Sequence, residues 1–274
     1  MKTVLGSLLT WLCLIFPVGA VAQTVIDIPT RPEVTQRLLL IPAANPDATV
    51  ILLAGGHGGL GIFPNGSFRW GEGNFLIRSR QLFADQGLNV VIVDAPSDRQ
   101  TPPYLAGFRQ TPEHAADIGA VIAWVRAQGK GPVWLIGTSR GTQSAAFLAT
   151  RLAGREGPDG LVLTATILKD NKGRPVPAMP LEQLTLPVLL VHHEQDGCGH
   201  CAYADLPELQ AKLRHLPRTA LLSFQGGANR GDPCEAYAYH GFNGLEKEVV
   251  TQIAAWIRAA QKESHSLTPS MINL

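Results

Sequence analysis

The chain has 274 residues, with 23 basic and 22 acidic side chains, and only 16% of it is charged. This near-neutral balance, with no basic run and no acidic tail, excludes a domain that binds nucleic acid through its charge. The 28 glycines and 20 prolines read as a loop-rich α/β domain rather than a helical array, with enough chain for one sizeable core.

In chain order, residues 1–22 read as an export signal. Lys2 gives a positive start, 4–16 is almost wholly apolar, and Ala20-Val21-Ala22 before Gln23 has the A-x-A pattern of a cleavage site. The apolar run is short for a membrane span and none longer follows. Cleavage leaves residues 23–274 as a single domain in the periplasm or outside the cell. Cys13 departs with the signal. Cys198, Cys201 and Cys234 remain, an odd set that in an oxidising compartment predicts one disulfide and one thiol.

Residues 34–41 are expected to form an early strand. Residues 49–53 form a short apolar run of the buried parallel type, entering the glycine-dense turn 54–59. Residues 75–86 read as a helix closed by Gly87, and 89–93 as a strand ending at Asp94. Thr111 and Pro112 are a cap and first turn for the next helix. Then come a strand at 133–136, a helix to about Leu152, strands at 161–166 and 188–192, a helix at 206–216, a strand at 220–224, and an amphipathic helix at 244–260. The residues after it read as a frayed tail. Strands alternating with helices predict a doubly wound, mostly parallel sheet with helices on both faces, whose ligands sit at the carboxyl ends of the strands.

Gly137-Thr138-Ser139-Arg140-Gly141 lies between an apolar strand and a helix-like run. In that setting G-x-S-x-G is a nucleophile elbow. A serine hydroxyl needs a base, an acid that orients the base, and donors for the developing oxyanion. The expected order along the chain is nucleophile, acid, histidine. Asp196, in the turn after strand 188–192, is the acid, with Glu194 and Asp205 as competitors. His240, before the last helix, is the base. His57, His192 and His193 come too early, His200 lies too close to the acid, His215 is in a helix and His265 in the tail. One oxyanion donor is the Arg140 backbone N–H. The other comes from the glycine loop, at His57 or Gly58.

Together these pieces resemble the α/β-hydrolase superfamily over roughly residues 34–258. His57-Gly58-Gly59 looks like a shortened form of the H-G-G-G element of lipases and esterases, departing from it at Leu60. The resemblance implies acyl-enzyme hydrolysis by Ser139, His240 and Asp196 without a cofactor or metal, on a small-molecule acyl substrate. Carboxylic esters come first. Peptidase, thioesterase and lactonase chemistry use the same triad, and a non-catalytic binding module is the alternative outside enzymes.

Cys198-Gly199-His200-Cys201 also looks like a C-x-x-C redox site, and with Cys234 it offers four zinc ligands. The preferred reading is a disulfide from Cys234 to Cys198, with Cys201 as the other choice. A triad brings the Asp196 and His240 loops together, and a bridge would staple them. The segment between the strands near 167 and 188 is too short for a large lid. Phe63, Phe68, Trp70, Tyr104, Phe108, Tyr203, Tyr237 and Phe242 are candidate pocket aromatics. Arg69, Arg99, Arg109 and Arg230 are candidate contacts for a substrate carboxylate.

Overall fold

The apolar runs pair into one eight-stranded sheet. The computed structural model of the chain describes residues 22–129 and 131–266, so the expected export signal 1–22, with its Cys13, lies outside the described residues except for Ala22. The strands are β1 (Thr24–Arg31), β2 (Val34–Ile41), β3 (Ala48–Leu53), β4 (Leu88–Val93), β5 (Val133–Thr138), β6 (Gly160–Thr164), β7 (Val188–His193) and β8 (Thr219–Phe224). Their order is β1-β2-β4-β3-β5-β6-β7-β8. From β3 to β8 every pairing is parallel, while β1 and β2 run antiparallel at one edge.

The strands β3 to β7 are buried at every position, which is why they read as continuous apolar runs: helices cover both faces. The helices are α1 (Phe75–Arg78), α2 (Arg80–Asp85), α3 (Pro112–Ala127), α4 (Arg140–Arg151), α5 (Leu206–Lys212) and α6 (Glu246–Ser266). Ile51, Leu135 and Leu190 pack with residues of α3, α4 and α5. Their strand neighbours Leu52, Ile136 and Leu189 pack on the opposite face with α1, α2 and α6. Each such side chain contributes about 1.5–3 kcal/mol by leaving water. The sheet is therefore a rigid platform, and its carboxyl edge is where the loops carry polar groups.

Four elements differ from the sequence expectation. Strand β1 adds to the elements expected from residue 34 onward, and it carries Pro29 inside it. It survives as the edge of the sheet, with the register slipping between Pro29 and Arg31, as an edge tolerates. The helix expected at 75–86 is two short helices meeting at the buried Ser79. Helix α5 stops at Lys212 and its last expected turn is irregular. Helix α6 runs on to Ser266. Between β6 and β7 lie only 3₁₀ turns at Val176–Ala178 and Leu181–Gln183, so no helical lid covers the carboxyl edge. No helix among the described residues is long and apolar enough to cross a membrane.

Candidate active site

Ser139 stands between β5 and α4 with φ 51° and ψ −127°, a conformation that costs a non-glycine residue about 1–3 kcal/mol. The surroundings hold it there. Its N–H donates to the Thr164 carbonyl at 3.0 Å, and its carbonyl accepts the Thr142 hydroxyl at 2.6 Å. Both glycines of the motif are required by space. A Cβ on Gly137 would lie 2.5 Å from the Gly141 carbonyl oxygen, and one on Gly141 would lie 2.0 Å from that of Leu53. The turn places Ser139 at the start of α4, where the first backbone N–H groups of a helix lack intrahelical partners.

Asp196 follows β7, and His240 lies in the 3₁₀ turn Tyr239–Gly241. Their side chains meet. His240 Nδ1–H donates to Asp196 Oδ2 at 2.9 Å, and the two side chains are 5% and 0% exposed. The other carboxylate oxygen accepts the Cys198 N–H at 2.9 Å. A carboxylate on Nδ1 fixes the tautomer, leaving the Nε2 lone pair free. That atom is buried without a hydrogen-bond partner. The competing carboxylates are engaged elsewhere: Glu194 accepts Gln225 Nε2 at 2.6 Å, and Asp205 pairs with Lys169 at 2.7 Å. His193 stacks on Tyr239 with ring centroids 4.3 Å apart.

Two devices fix these loops. The Cys198–Cys234 disulfide ties the Asp196 turn to the segment before His240, and Cys201 is a buried free thiol. Burial, and then the Asp196 charge, push that thiol's pKa well up. Arg78, which nothing in its sequence neighbourhood singles out, donates to the carbonyls of Gly73 and Gly241 and pairs with Glu246 at 2.8 Å. Beneath the site, His192 is fully buried, and its Nε2 accepts the Thr166 N–H at 3.0 Å. Burial, and then the nearby His240, lower its pKa to about 3, so it is neutral at physiological pH.

The glycine loop after β3 is held from both ends. Arg109, read from sequence as a candidate substrate contact, instead sits 6% exposed in the interior. It donates to the carbonyls of Ala54 at 3.0 Å and Gly56 at 3.1 Å, and to the Ser144 hydroxyl at 3.0 Å. Burial, and then the Arg140 charge, lower its pKa to about 9, which leaves it charged at neutral pH. At the other end, the Asp94 carboxylate accepts the N–H groups of Leu60, Gly61, Ile62 and Ala95 at 2.7–3.1 Å. In a trans peptide the carbonyl of one residue and the N–H of the next point in opposite directions. With the carbonyls of 54 and 56 turned to Arg109, the N–H groups of Gly55 and His57 face away from it. Gly55 touches the elbow: a Cβ there would lie 3.0 Å from Ser139 Cβ. Gly58 is packed against Leu105 and Arg109.

Ser139 and His240 line one cavity of about 480 Å³, together with Gly56, Trp70, Asn74 and Tyr237. Of the candidate aromatics, Trp70 and Tyr237 face this cavity. Phe68, Phe108 and Phe242 are buried packing, and Tyr203 bonds Ser223 at 2.5 Å. Tyr104 and Trp70 sandwich the His57 ring, at 4.3 and 3.9 Å. Phe63 lies under the Arg69 guanidinium and Phe108 under that of Arg99. The four-ligand zinc set loses Cys198 and Cys234 to their mutual disulfide. The C-x-x-C pair is not bonded to itself.

No family model matches the chain, and no curated relative does. Solved structures do. The Pyrococcus furiosus esterase Pf2001 superposes with a TM-score of 0.61 at 15% identity, over 88% of this chain and 92% of that one. A cold-adapted esterase from an Arctic intertidal metagenomic library gives 0.59 at 16% identity, over 92% and 99%. A Xanthomonas campestris protein described as an α/β serine hydrolase without a lid gives 0.50 at 16% identity, over 93% and 99%. At such identities the likeness is one of fold, and the fold is that of the α/β hydrolases without a large lid.

Proposed function

With the α/β-hydrolase fold as premise, we propose that the protein is an exported serine hydrolase that cleaves carboxylic esters through an acyl-enzyme. One observation carries the reading: His240, bound to Asp196 through Nδ1 and with no hydrogen-bond partner on Nε2, lines the same cavity as the strained Ser139. In this reading Nε2 takes the proton of Ser139 Oγ as it attacks the ester carbonyl. Asp196 holds the imidazole in its tautomer and stabilises the imidazolium. The proton then goes to the leaving alcohol, and a water molecule activated by the same nitrogen releases the acid. The oxyanion faces the Arg140 N–H and a second N–H from the glycine loop, where the N–H groups of Gly55 and His57 are the ones turned away from Arg109. Each such donor is worth on the order of 10²–10³ in kcat. The disulfide is compatible with export, and a cavity without a lid suits small, soluble esters.

The test is p-nitrophenyl acetate turnover and fluorophosphonate labelling of the purified protein and its Ser139→Ala variant. Label and turnover are expected in the first and neither in the second. Labelling of the alanine variant to the same extent would sink the assignment.

A further inference from the structure

A second cavity, of about 500 Å³, adjoins the first and shares Gly56 and Arg140 with it as walls. Its charge is one-sided. Arg109, Arg140 and Lys172 line it, and no carboxylate does among the described residues. Arg109 forms its floor, buried on carbonyls and a hydroxyl with no acidic partner among its hydrogen bonds. Arg140 spends one terminal nitrogen, Nη1, on Asp170 at 2.8 Å and on Gln143, and its side chain stays 29% exposed. Lys172 makes no salt bridge among the described residues. His57 lines the cavity too, and its Nδ1 accepts the Gly59 N–H at 3.1 Å, so the neutral ring carries its proton on Nε2. One carboxylate, that of Asp170, compensates one of the three cations, which leaves the cavity net positive beside the nucleophile.

The position of His240 decides which half of a substrate enters. His240 lines the first cavity and not the second. The alcohol that His240 must protonate therefore leaves through the first cavity, and the acyl chain is directed into the second. We infer that the second cavity is an acyl-side subsite for a carboxylate, so that the preferred substrates are half-esters of dicarboxylic acids. This rests on the hydrolase reading above and names its substrate class. Arg140, Lys172 and His57 Nε2–H are the groups that meet the anion, and Arg109 supplies field from below.

The test compares 4-nitrophenyl half-esters of succinic, glutaric and adipic acid with the neutral butanoate, pentanoate and hexanoate. Hydrogen bonds to a charged group make a preference of about tenfold or more in kcat/KM the expected result for at least one matched pair. Lys172→Glu is expected to lower that ratio by about tenfold, and raising the ionic strength to about 0.5 M to erode it. Equal kcat/KM within every pair, or a ratio that Lys172→Glu does not move, overturns the subsite and leaves the hydrolase reading standing. Absence of turnover on all six esters, together with absence of fluorophosphonate label on Ser139, overturns the hydrolase reading and the subsite with it.

Discussion

Cutting the Cys198–Cys234 bridge tests whether the loops carrying Asp196 and His240 depend on a covalent tie. The two cysteines are 36 residues apart. Closing a loop of that length removes about 13 cal/mol/K from the entropy of the unfolded chain, which is about 4 kcal/mol at 25 °C. A domain of this size has a net stability of roughly 5–15 kcal/mol, so Cys234→Ser takes away a large share. Thermal unfolding is expected to fall by about 8–16 °C, at about 2–4 °C per kcal/mol. Catalysis is expected to suffer at 25 °C as well, because the Cys198 N–H holds Asp196 Oδ1 at 2.9 Å and the bridge fixes Cys198. One complication is built into the site. The sulfurs of Cys198 and Cys201 and a ring nitrogen of His240 all lie within 4.8 Å of one another, so the freed Cys198 can re-pair with Cys201. The informative variant is therefore Cys201→Ala/Cys234→Ser, measured against Cys201→Ala alone. The assays are urea unfolding followed by tryptophan fluorescence and steady-state ester hydrolysis. An unchanged urea midpoint together with an unchanged kcat would refute the reasoning.

Three further outcomes are expected. Arg109→Met leaves the carbonyls of 54 and 56 without their donor, so kcat should drop on the order of 10²-fold as the loop N–H groups lose aim, with KM for a neutral ester changed far less; steady-state kinetics separates the two. Asp196→Asn lets the His240 ring take the wrong tautomer, and kcat should fall on the order of 10³–10⁴-fold while the fold's urea midpoint moves little by comparison. His114 and His192 both have pKa values lowered to about 3, in each case by burial first, with the Arg109 charge also acting on His114 and that of His240 on His192. Unfolding lets each take up a proton below the free-histidine pKa of 6.5. Stability is therefore fully present above pH 6.5 and falls as the pH drops toward 3, by about 1.4 kcal/mol per pH unit per histidine. His114→Leu removes one of the two protons, and because neither ring nitrogen has a partner it should raise the urea midpoint at every pH from 4 to 8.

The sheet was legible because its strands are buried on both sides and bounded by glycine and proline. Residues 49–53, 89–93 and 133–136 need no period to be recognised. Edge strand β1 was hidden by Pro29, which argues against a strand everywhere except at an edge. Ser139, Asp196 and His240 stood out as candidates because the chemistry demands three residue types in a fixed order at strand ends, and the structure brings Asp196 and His240 into contact at the cavity that Ser139 lines. That Cys234 bridges to the Cys198/Cys201 pair was legible once the Asp196 and His240 loops had to meet, with Cys198 favoured over Cys201, and the bridge is Cys198–Cys234. Arg109 was not legible. Its partners are 53–55 residues away in sequence, and nothing in its neighbours distinguishes an arginine that holds carbonyls from one in solvent. Arg78 is hidden in the same way, with its Gly241 partner 163 residues away.

These long-range contacts share a logic. The candidate catalytic groups sit on four loops that follow different strands, and a parallel sheet fixes only where those loops begin. Each loop is then fixed by a partner from elsewhere. Thr142 and the Thr164 carbonyl hold the elbow. The disulfide and Arg78 hold the turns around Asp196 and His240. Arg109 and Asp94 hold the two ends of the glycine loop. Apart from the Thr164 carbonyl at the very end of β6, these ties lie outside the strands, so loosening one disturbs alignment at the carboxyl edge while leaving the paired core of β3 to β7 in place. Charge follows the same division. The carboxylates of Asp94 and Asp196 are spent on backbone N–H groups and His240, whereas Arg109 is spent on carbonyls and a hydroxyl and keeps its charge uncompensated in the wall of the second cavity. A site organised this way orients its donors before any substrate arrives, and the sign of the field it leaves over favours an acyl chain that ends in an anion.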